Sequence, residues 1–244
     1  MTPRDRDRLT DTAAAIWSAR GMMEQACAVY RASPPSDPVS ATRARIAAIA
    51  VGTVDSVDSA PGGLSERQAG NASEPSAADA PSTLGVAMSL MRRGLDSSVT
   101  ADRAEAALAD LVRASEMYTA SRSASAVTEL PAVLAAIVAL NLGSLATARS
   151  VIEDAIAGEQ GGQWARPRLL LWRAWIAVAS ARPTEARDAL ADAHAARSPR
   201  DVLLAHAVQV AIARRYEDAA GLEAAWRHAR PSLLRVDVDL YLLH

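Results

Sequence analysis

The chain contains no lysine and no phenylalanine, so all 26 of its basic residues are arginines. A phosphate-binding P-loop of the Walker type needs a lysine before its Ser or Thr, and Schiff-base catalysis needs a lysine amine. The sequence therefore excludes both kinds of site. The formal net charge is −2, with acidic residues and arginines interleaved, which predicts no basic face for nucleic acid.

Cysteine is also scarce, and long apolar runs are missing. Cys27 has no second cysteine with which to form an internal disulfide, so it is predicted to be a buried thiol suited to a reducing cytoplasm. The N-terminus is charged and leads into no apolar signal region, and no stretch approaches the roughly 18 uninterrupted apolar residues of a membrane span. We expect a cytoplasmic protein with no membrane partner.

Residues 54–82 differ in composition from the rest of the chain. They are Ser, Ala, Pro, Gly and Asp with almost nothing large to bury, which is typical of a disordered linker or insertion. This segment divides the chain into an N-terminal helical segment, 1–53, and a C-terminal helical segment, 83–244. We expect the two segments to pack together as one superhelix.

Both segments are predicted to be entirely helical. Runs of alternating polarity and hairpin turns are nearly absent, whereas prolines that start helices and glycines that end them are frequent. The predicted starts lie at Pro131 and Pro199, and the predicted ends at Gly21, Gly94, Gly143 and Gly158. The predicted helices cover residues 4–20, 22–33, 39–52, 84–94, 100–121, 129–142, 145–157, 166–181, 183–196, 200–214, 216–229 and 232–243.

A degenerate repeat runs through these helices. Four aligned segments each place a small residue where two helices would pack most closely, at Ala26, Ala148, Ala186 and Ala219. The last three are spaced close to the tetratricopeptide period of about 34 residues. Because no helix pair can bury its apolar face alone, such pairs stack. The sequence therefore predicts an all-α fold, a tetratricopeptide-like α-helical solenoid of antiparallel helix pairs.

Three stretches carry a resemblance to a known family: "LPAVLAAIVALNLGSLATARSVIEDAIAG", "GGQWARPRLLLWRAWIAVASARPTEARDALADA" and "RDVLLAHAVQVAIARRYEDAAGLEAAWRHARPSLLRVDVDLYLL". Residues 84–244 resemble the helical-repeat region of actinobacterial LuxR-family transcriptional regulators, similar in plan to the maltose-operon activator. Proteins of that plan join a signal-transduction ATPase, a helical-repeat sensor and a helix-turn-helix. The resemblance implies an arm that binds an effector, often a sugar, or an inhibitory partner.

The sequence departs from that plan in two respects. It has no P-loop, and nothing after Tyr241 could form a helix-turn-helix. We therefore expect an isolated sensor segment without direct nucleic-acid binding, the ATPase and helix-turn-helix segments belonging to a full-length regulator.

Three of the five tryptophans cluster at Trp164, Trp172 and Trp175, and they define the candidate site. Arg168 and Trp175 are seven residues apart and so share one helix face, which the repeat register turns toward a concave groove. The candidate ligand-binding residues are Trp164, Arg166, Arg168, Trp172, Trp175, Asn141 and Asp201. The predicted apolar lining of the groove is Leu130, Val133, Ile137, Leu171 and Leu204.

Indole faces suit the apolar faces of sugar rings, and Arg and Asn donate hydrogen bonds to hydroxyl groups. The groove is thus predicted to bind a small polar effector, a saccharide being one possibility. Core packing is an alternative role for Trp172 and Trp175, as an ion pair is for Arg168. The apolar lining also allows a second function, a protein-interaction scaffold that binds an apolar helix or peptide.

Enzymatic functions have little support. The histidines lack metal-ligand spacing, and "LGSLA" at residues 142–146 is not a nucleophile elbow because its fifth residue is not glycine. Adjacent carboxylates such as Glu153 and Asp154 point in different directions on a helix. We predict no catalytic residues, no metal and no cofactor.

Overall fold

A computed structural model describes residues 1–51, 82–98, 101–123, 127–193 and 198–233. Within these ranges the chain is all-α, with eleven α-helices, one 3₁₀ turn at Ala101–Arg103 and no strand. The helices are α1 (Pro3–Ala19), α2 (Met23–Ala32), α3 (Pro38–Ala50), α4 (Thr83–Ser98), α5 (Ala104–Ala120), α6 (Pro131–Asn141), α7 (Leu145–Ala157), α8 (Arg166–Ala179), α9 (Pro183–Asp192), α10 (Pro199–Tyr216) and α11 (Ala219–Leu233).

Two sequence predictions fall on other parts of the chain. Apart from Ser82, the predicted linker 54–82 lies outside the described residues, as does the predicted helix 232–243 beyond residue 233. Of the helices in the described ranges, none is long and apolar enough to cross a membrane.

Proline and glycine set several helix boundaries where the sequence predicts them. Pro131 and Pro199 occupy the first turns of α6 and α10, where a missing N–H costs no helical hydrogen bond. Gly21 and Gly143 adopt positive φ, 77° and 72°, just beyond the ends of α1 and α6. Gly158 is the residue that caps the end of α7, as predicted.

The predicted ends at Gly94 and residue 229 are wrong. Gly94 lies inside α4, where a Cβ atom would stand 2.7 Å from Cγ of Leu111. This glycine therefore permits the close approach of α4 and α5 and does not end the helix. Residue 229 is not an end either, because α11 continues through Pro231 to Leu233.

The helices pack in chain order, each against the next. In addition α8 contacts both α6 and α10, and α1 contacts α3 and α10. Ala26, Ala148 and Ala186 are fully buried, as expected for residues at close helix contacts. Ala219 is exposed at the start of α11, so its predicted place at such a contact is wrong.

Buried polar contacts hold α1 against the segment that begins α3. The Asp11 carboxylate accepts hydrogen bonds from Tyr30 Oη at 3.0 Å and Ser40 Oγ at 2.8 Å, and it pairs with Arg43. Burial and the Asp11 charge raise the pKa of Tyr30 far above its usual value, so Tyr30 stays a protonated donor. Cys27 is buried, as predicted.

Candidate functional site

The seven candidate ligand-binding residues do not form one site. Three of them, Trp164, Arg168 and Asp201, line the same cavity. This cavity, the Trp164 pocket, has a volume of about 490 Å³ and lies between the second half of α1 and the beginnings of α6, α8 and α10. Its lining residues are Thr12, Ala15, Ile16, Ser18, Ala19, Val127, Thr128, Glu129, Leu130, Gln163, Trp164, Pro167, Arg168, Ser198, Arg200 and Asp201.

Local sequence brings the charged residues of the Trp164 pocket to one end of the helix bundle. Each of α6, α8 and α10 has a proline in its first turn. Glu129 precedes α6, Arg168 lies in the first turn of α8, and Arg200 and Asp201 lie in the first turn of α10. Since these three helices pack side by side through α8, their first turns meet.

These four residues form one buried ion-pair cluster. Arg168 Nε donates to Glu129 Oε1 at 3.2 Å, and Arg168 Nη2 pairs with the second carboxylate oxygen. Arg200 Nη2 lies 2.9 Å from that same oxygen, and Arg168 Nη1 lies 3.3 Å from Asp201 Oδ1. With two carboxylates and two guanidinium groups, the cluster is formally neutral.

The ionisation of Glu129 follows from its neighbours. Burial is the largest single influence on its pKa and raises it, but the charges of Arg168 and Arg200, with the hydrogen bonds from Arg168 and the backbone N–H of Leu130, together outweigh burial. The pKa of Glu129 is therefore held below its usual value, and the carboxylate is charged at neutral pH. The cluster therefore forms a charged wall of the pocket, and Glu129 does not act as a proton acceptor near neutral pH.

Hydrogen bonds to the main chain fix the cluster further. Arg200 Nη1 donates to the carbonyl of Thr128 at 2.9 Å, and Ser18 Oγ of α1 donates to the same carbonyl at 3.0 Å. Ser198 Oγ accepts from the backbone N–H of Asp201 at 3.1 Å and so caps α10. The pocket wall is thereby connected to α1, α6, α8 and α10 at once.

Trp164 stands at the mouth of this pocket with 47% of its surface exposed. The loop that carries it turns at Gly161 and Gly162, whose φ values of 75° and 74° favour glycine. Gln160 anchors the loop, because its buried side-chain amide donates to Ser115 Oγ and Thr119 Oγ1, both at 2.9 Å. An apolar ring face is thus presented beside a charged wall.

The remaining predicted ligand residues lie elsewhere. Trp175 lines a second cavity, and Arg166 lines a small cavity of about 130 Å³ beside Gln160. Asn141 is exposed at the end of α6, away from both larger cavities. Trp172 is 1% exposed and packs in the core, which agrees with its alternative role.

The predicted apolar lining of a concave groove is wrong as a description of the surface. Leu130, Val133, Ile137, Leu171 and Leu204 are at most 5% exposed. They belong to the main core, because the faces of α6, α8 and α10 that carry them pack against neighbouring helices. Leu130 alone among them also reaches the Trp164 pocket.

Sequence reasoning missed Glu129 and Arg200, the two most buried charges of the cluster. Neither stands out by composition, since each is the first residue of a predicted helix, where charged residues are common. The available signal was Arg168 itself, because an arginine turned toward the interior needs a carboxylate partner. The only acidic residue just before α6 is Glu129.

A second cavity, the Trp226 pocket, has a volume of about 620 Å³ and lies between α8, α10 and α11. Its lining residues are Trp175, Leu203, His206, Ala207, Val210, Ala211, Arg214, Arg215, Trp226 and Ala229. The ring of His206 meets that of His228 edge to face, with 5.2 Å between the ring centroids.

The described part of the chain contains no group of three or more His, Cys, Asp or Glu residues that could hold a metal ion. No protein-family profile, curated protein or solved structure matches the sequence or its fold.

Proposed function

We propose that this chain is the effector-sensing helical-repeat region of a LuxR-type transcriptional regulator and that it has no catalytic activity of its own. In this proposal its helix pairs form a tetratricopeptide-like solenoid, and a small polar ligand, a saccharide, binds in the Trp164 pocket. The observation that carries the proposal is the half-exposed indole of Trp164 beside a buried, mutually paired ion cluster.

The chemistry of this pocket suits a polyhydroxylated ligand. Trp164 offers an apolar ring face, while the exposed side chains of Thr12 and Gln163 offer hydrogen-bond donors and acceptors. The pocket volume of about 490 Å³ is within the usual range of small-molecule sites, about 300–1,000 Å³. A neutral ligand would meet a wall whose charges already cancel, so it would not have to break the ion pairs.

The position of the pocket also suits sensing. A ligand held there would touch α1 on one side and the first turns of α8 and α10 on the other. If it binds one arrangement of these helices better than another, it shifts the population toward that arrangement. ATPase and helix-turn-helix segments of a full-length regulator would read the shift.

The test is to titrate the chain with a panel of neutral mono- and oligosaccharides and to measure binding by isothermal titration calorimetry. Trp164→Ala should weaken binding of any saccharide found by about tenfold, the scale of one lost aromatic contact. Trp226→Ala is the matched control, because Trp226 is 53% exposed and lies in the other cavity. Binding that depends on Trp226 but not on Trp164 would contradict the proposed site.

A second candidate function, a scaffold that binds an apolar helix of a protein partner, has support of a different kind. Leu9 and Ile16 on α1 are 62% and 56% exposed, and their spacing of seven residues places them on one helix face. Ile16 also reaches the rim of the Trp164 pocket. The scaffold function would be favoured over the sensor function by two results together. No saccharide binds to the chain, and the double variant Leu9→Ser, Ile16→Ser no longer binds a protein partner that the parent chain binds.

A further inference from the structure

The Trp226 pocket has chemistry of its own that the proposed saccharide site does not use. One wall is a second apolar face of α10, made by Leu203, Ala207 and Val210 at helical spacing. This face is separate from the one that buries Leu204 and Val208 in the core. Because α10 is apolar on both faces, we expect each face to contact an apolar group.

Aromatic rings border this wall. Trp175 on α8 is half-buried, and Trp226 on α11 is 53% exposed. The imidazole of His206 also lines the cavity, in edge contact with His228. A flat apolar body could therefore lie between the two indoles and the apolar face of α10.

The charge around the Trp226 pocket has one sign. None of its described lining residues is acidic, while Arg214 and Arg215 are both part of the lining. Arg215 is already engaged, since it donates to the carbonyl of Val178 at 3.2 Å and its guanidinium lies 5.8 Å from the ring centroid of Tyr216. Arg214 is exposed, and its side chain makes no ion pair or hydrogen bond with any described residue.

The nearest carboxylates in sequence are committed elsewhere. Glu217 lies 3.5 Å from Arg187, and Asp218 accepts a hydrogen bond from the backbone N–H of Gly221 at 2.8 Å. The guanidinium of Arg214 thus lies at the edge of an aromatic cavity without a neutralising partner among the residues that the structure describes. A guanidinium group binds a carboxylate through two parallel N–H donors when the geometry allows it.

We propose that the Trp226 pocket binds an organic anion with a flat apolar body, of the aromatic carboxylate class. The ring system lies against Trp226 and the apolar face of α10, and the carboxylate accepts hydrogen bonds from Arg214. This site is distinct from the Trp164 pocket, whose arginines are neutralised by Glu129 and Asp201. It does not depend on the saccharide proposal.

The test uses isothermal titration calorimetry of the full chain with 2-naphthoate and its uncharged analogue 2-naphthamide. The two probes share the ring system and differ in the charge of the head group. We expect 2-naphthoate to bind and 2-naphthamide to bind at least about tenfold more weakly, as for the loss of a charge-assisted hydrogen bond. Raising the salt concentration should weaken only the binding of 2-naphthoate.

Variants assign the site. Arg214→Gln and Trp226→Ala should each weaken 2-naphthoate about tenfold. Both residues are exposed, so neither change removes core packing. Arg227→Gln is the matched control for charge, because Arg227 is equally exposed but pairs with Glu223 on α11. Trp164→Ala controls for the other cavity.

Three results would overturn the proposal. One is equal affinity for 2-naphthoate and 2-naphthamide, another is an Arg214→Gln variant that binds as the parent chain does, and the third is loss of binding in Trp164→Ala. Thermal unfolding of each variant, followed by circular dichroism, separates loss of the site from loss of the fold.

Discussion

The Trp164 pocket and the Trp226 pocket are similar in size, and each has a half-exposed indole at its edge, but their charges are arranged in opposite ways. In the Trp164 pocket the arginines are buried and neutralised by carboxylates. In the Trp226 pocket Arg214 is exposed and unpaired among the described residues. The charges of the Trp164 pocket hold helices together, whereas the charge of Arg214 in the Trp226 pocket makes no contact that stabilises the fold within the described ranges.

This difference separates architecture from recognition. A buried ion pair is costly to break, because removing one partner leaves a charge in a medium that solvates it poorly. The cluster of the Trp164 pocket therefore fixes how α6, α8 and α10 meet. In the Trp226 pocket, Arg214 can be replaced without loss of core packing, because it is exposed.

The largest expected effect comes from breaking the cluster. Glu129→Gln keeps the size of the side chain but leaves Arg168 and Arg200 without their shared countercharge. Breaking a buried pair in this way costs about 3–5 kcal/mol of unfolding free energy, measured by urea denaturation at neutral pH. The contrast with the Trp226 pocket is Arg214→Gln, which should leave the urea midpoint unchanged.

Glu223→Gln is the control for the loss of one negative charge, since the pair of Glu223 with Arg227 is exposed to solvent. A Glu129→Gln chain as stable as the Glu223→Gln chain would show that the cluster does not hold the three helices together.

A smaller effect is expected from Gly161, which turns the loop carrying Trp164. Its φ is 75°, and a Cβ atom there would lie 2.8 Å from Cβ of Ala165 and 3.1 Å from Cδ2 of Leu130. Gly161→Ala therefore combines backbone strain of about 1 kcal/mol with overpacking of about 1–3 kcal/mol. It should also shift the fluorescence of Trp164 while leaving binding of 2-naphthoate unchanged.

Gly143 provides the control for strain alone. Its φ is 72°, but a Cβ atom there would meet nothing within 4 Å. Gly143→Ala should thus lose only the strain contribution. Equal urea midpoints for the two alanine variants would mean that the Trp164 loop is not held tightly against Leu130.

The same contrast explains what the sequence could predict. The all-α class and most helix boundaries follow from local signals, such as Pro199 at the start of α10 or Gly143 just after the end of α6, and the structure agrees with them. Gly94 misled because one glycine can end a helix or let another helix approach, and only the position of Leu111 decides between these.

The site was harder to predict because its residues lie far apart in the sequence. The partners of Arg168 lie 39 and 33 positions away, at Glu129 and Asp201. A repeat register can place Arg168 and Asp201 on related faces, but it does not say whether that face is open or covered. Leu171 and Leu204 are covered, and so the predicted groove is reduced to the cavity at the helix starts.

The smallest expected effect on stability comes from His206, which lines the Trp226 pocket. Burial and the neighbouring His228 imidazole lower the pKa of His206 below its usual value of 6.5. The folded chain therefore holds this proton more weakly than the unfolded chain, and the free energy of unfolding decreases slightly as the pH falls through 6.5. The decrease is small because His206 remains partly solvated.

Proton NMR titration of the histidine ring signals measures the shift directly. His228→Ala should raise the pKa of His206 only part of the way, because burial, the larger cause, remains. Addition of 2-naphthoate should shift the His206 ring signals, since its ring system would lie in the cavity that His206 lines, whereas a saccharide in the Trp164 pocket should leave them unchanged. If 2-naphthoate binds and the His206 ring signals do not shift, the probe does not lie in the Trp226 pocket, and the difference in charge between the two pockets has no consequence for binding.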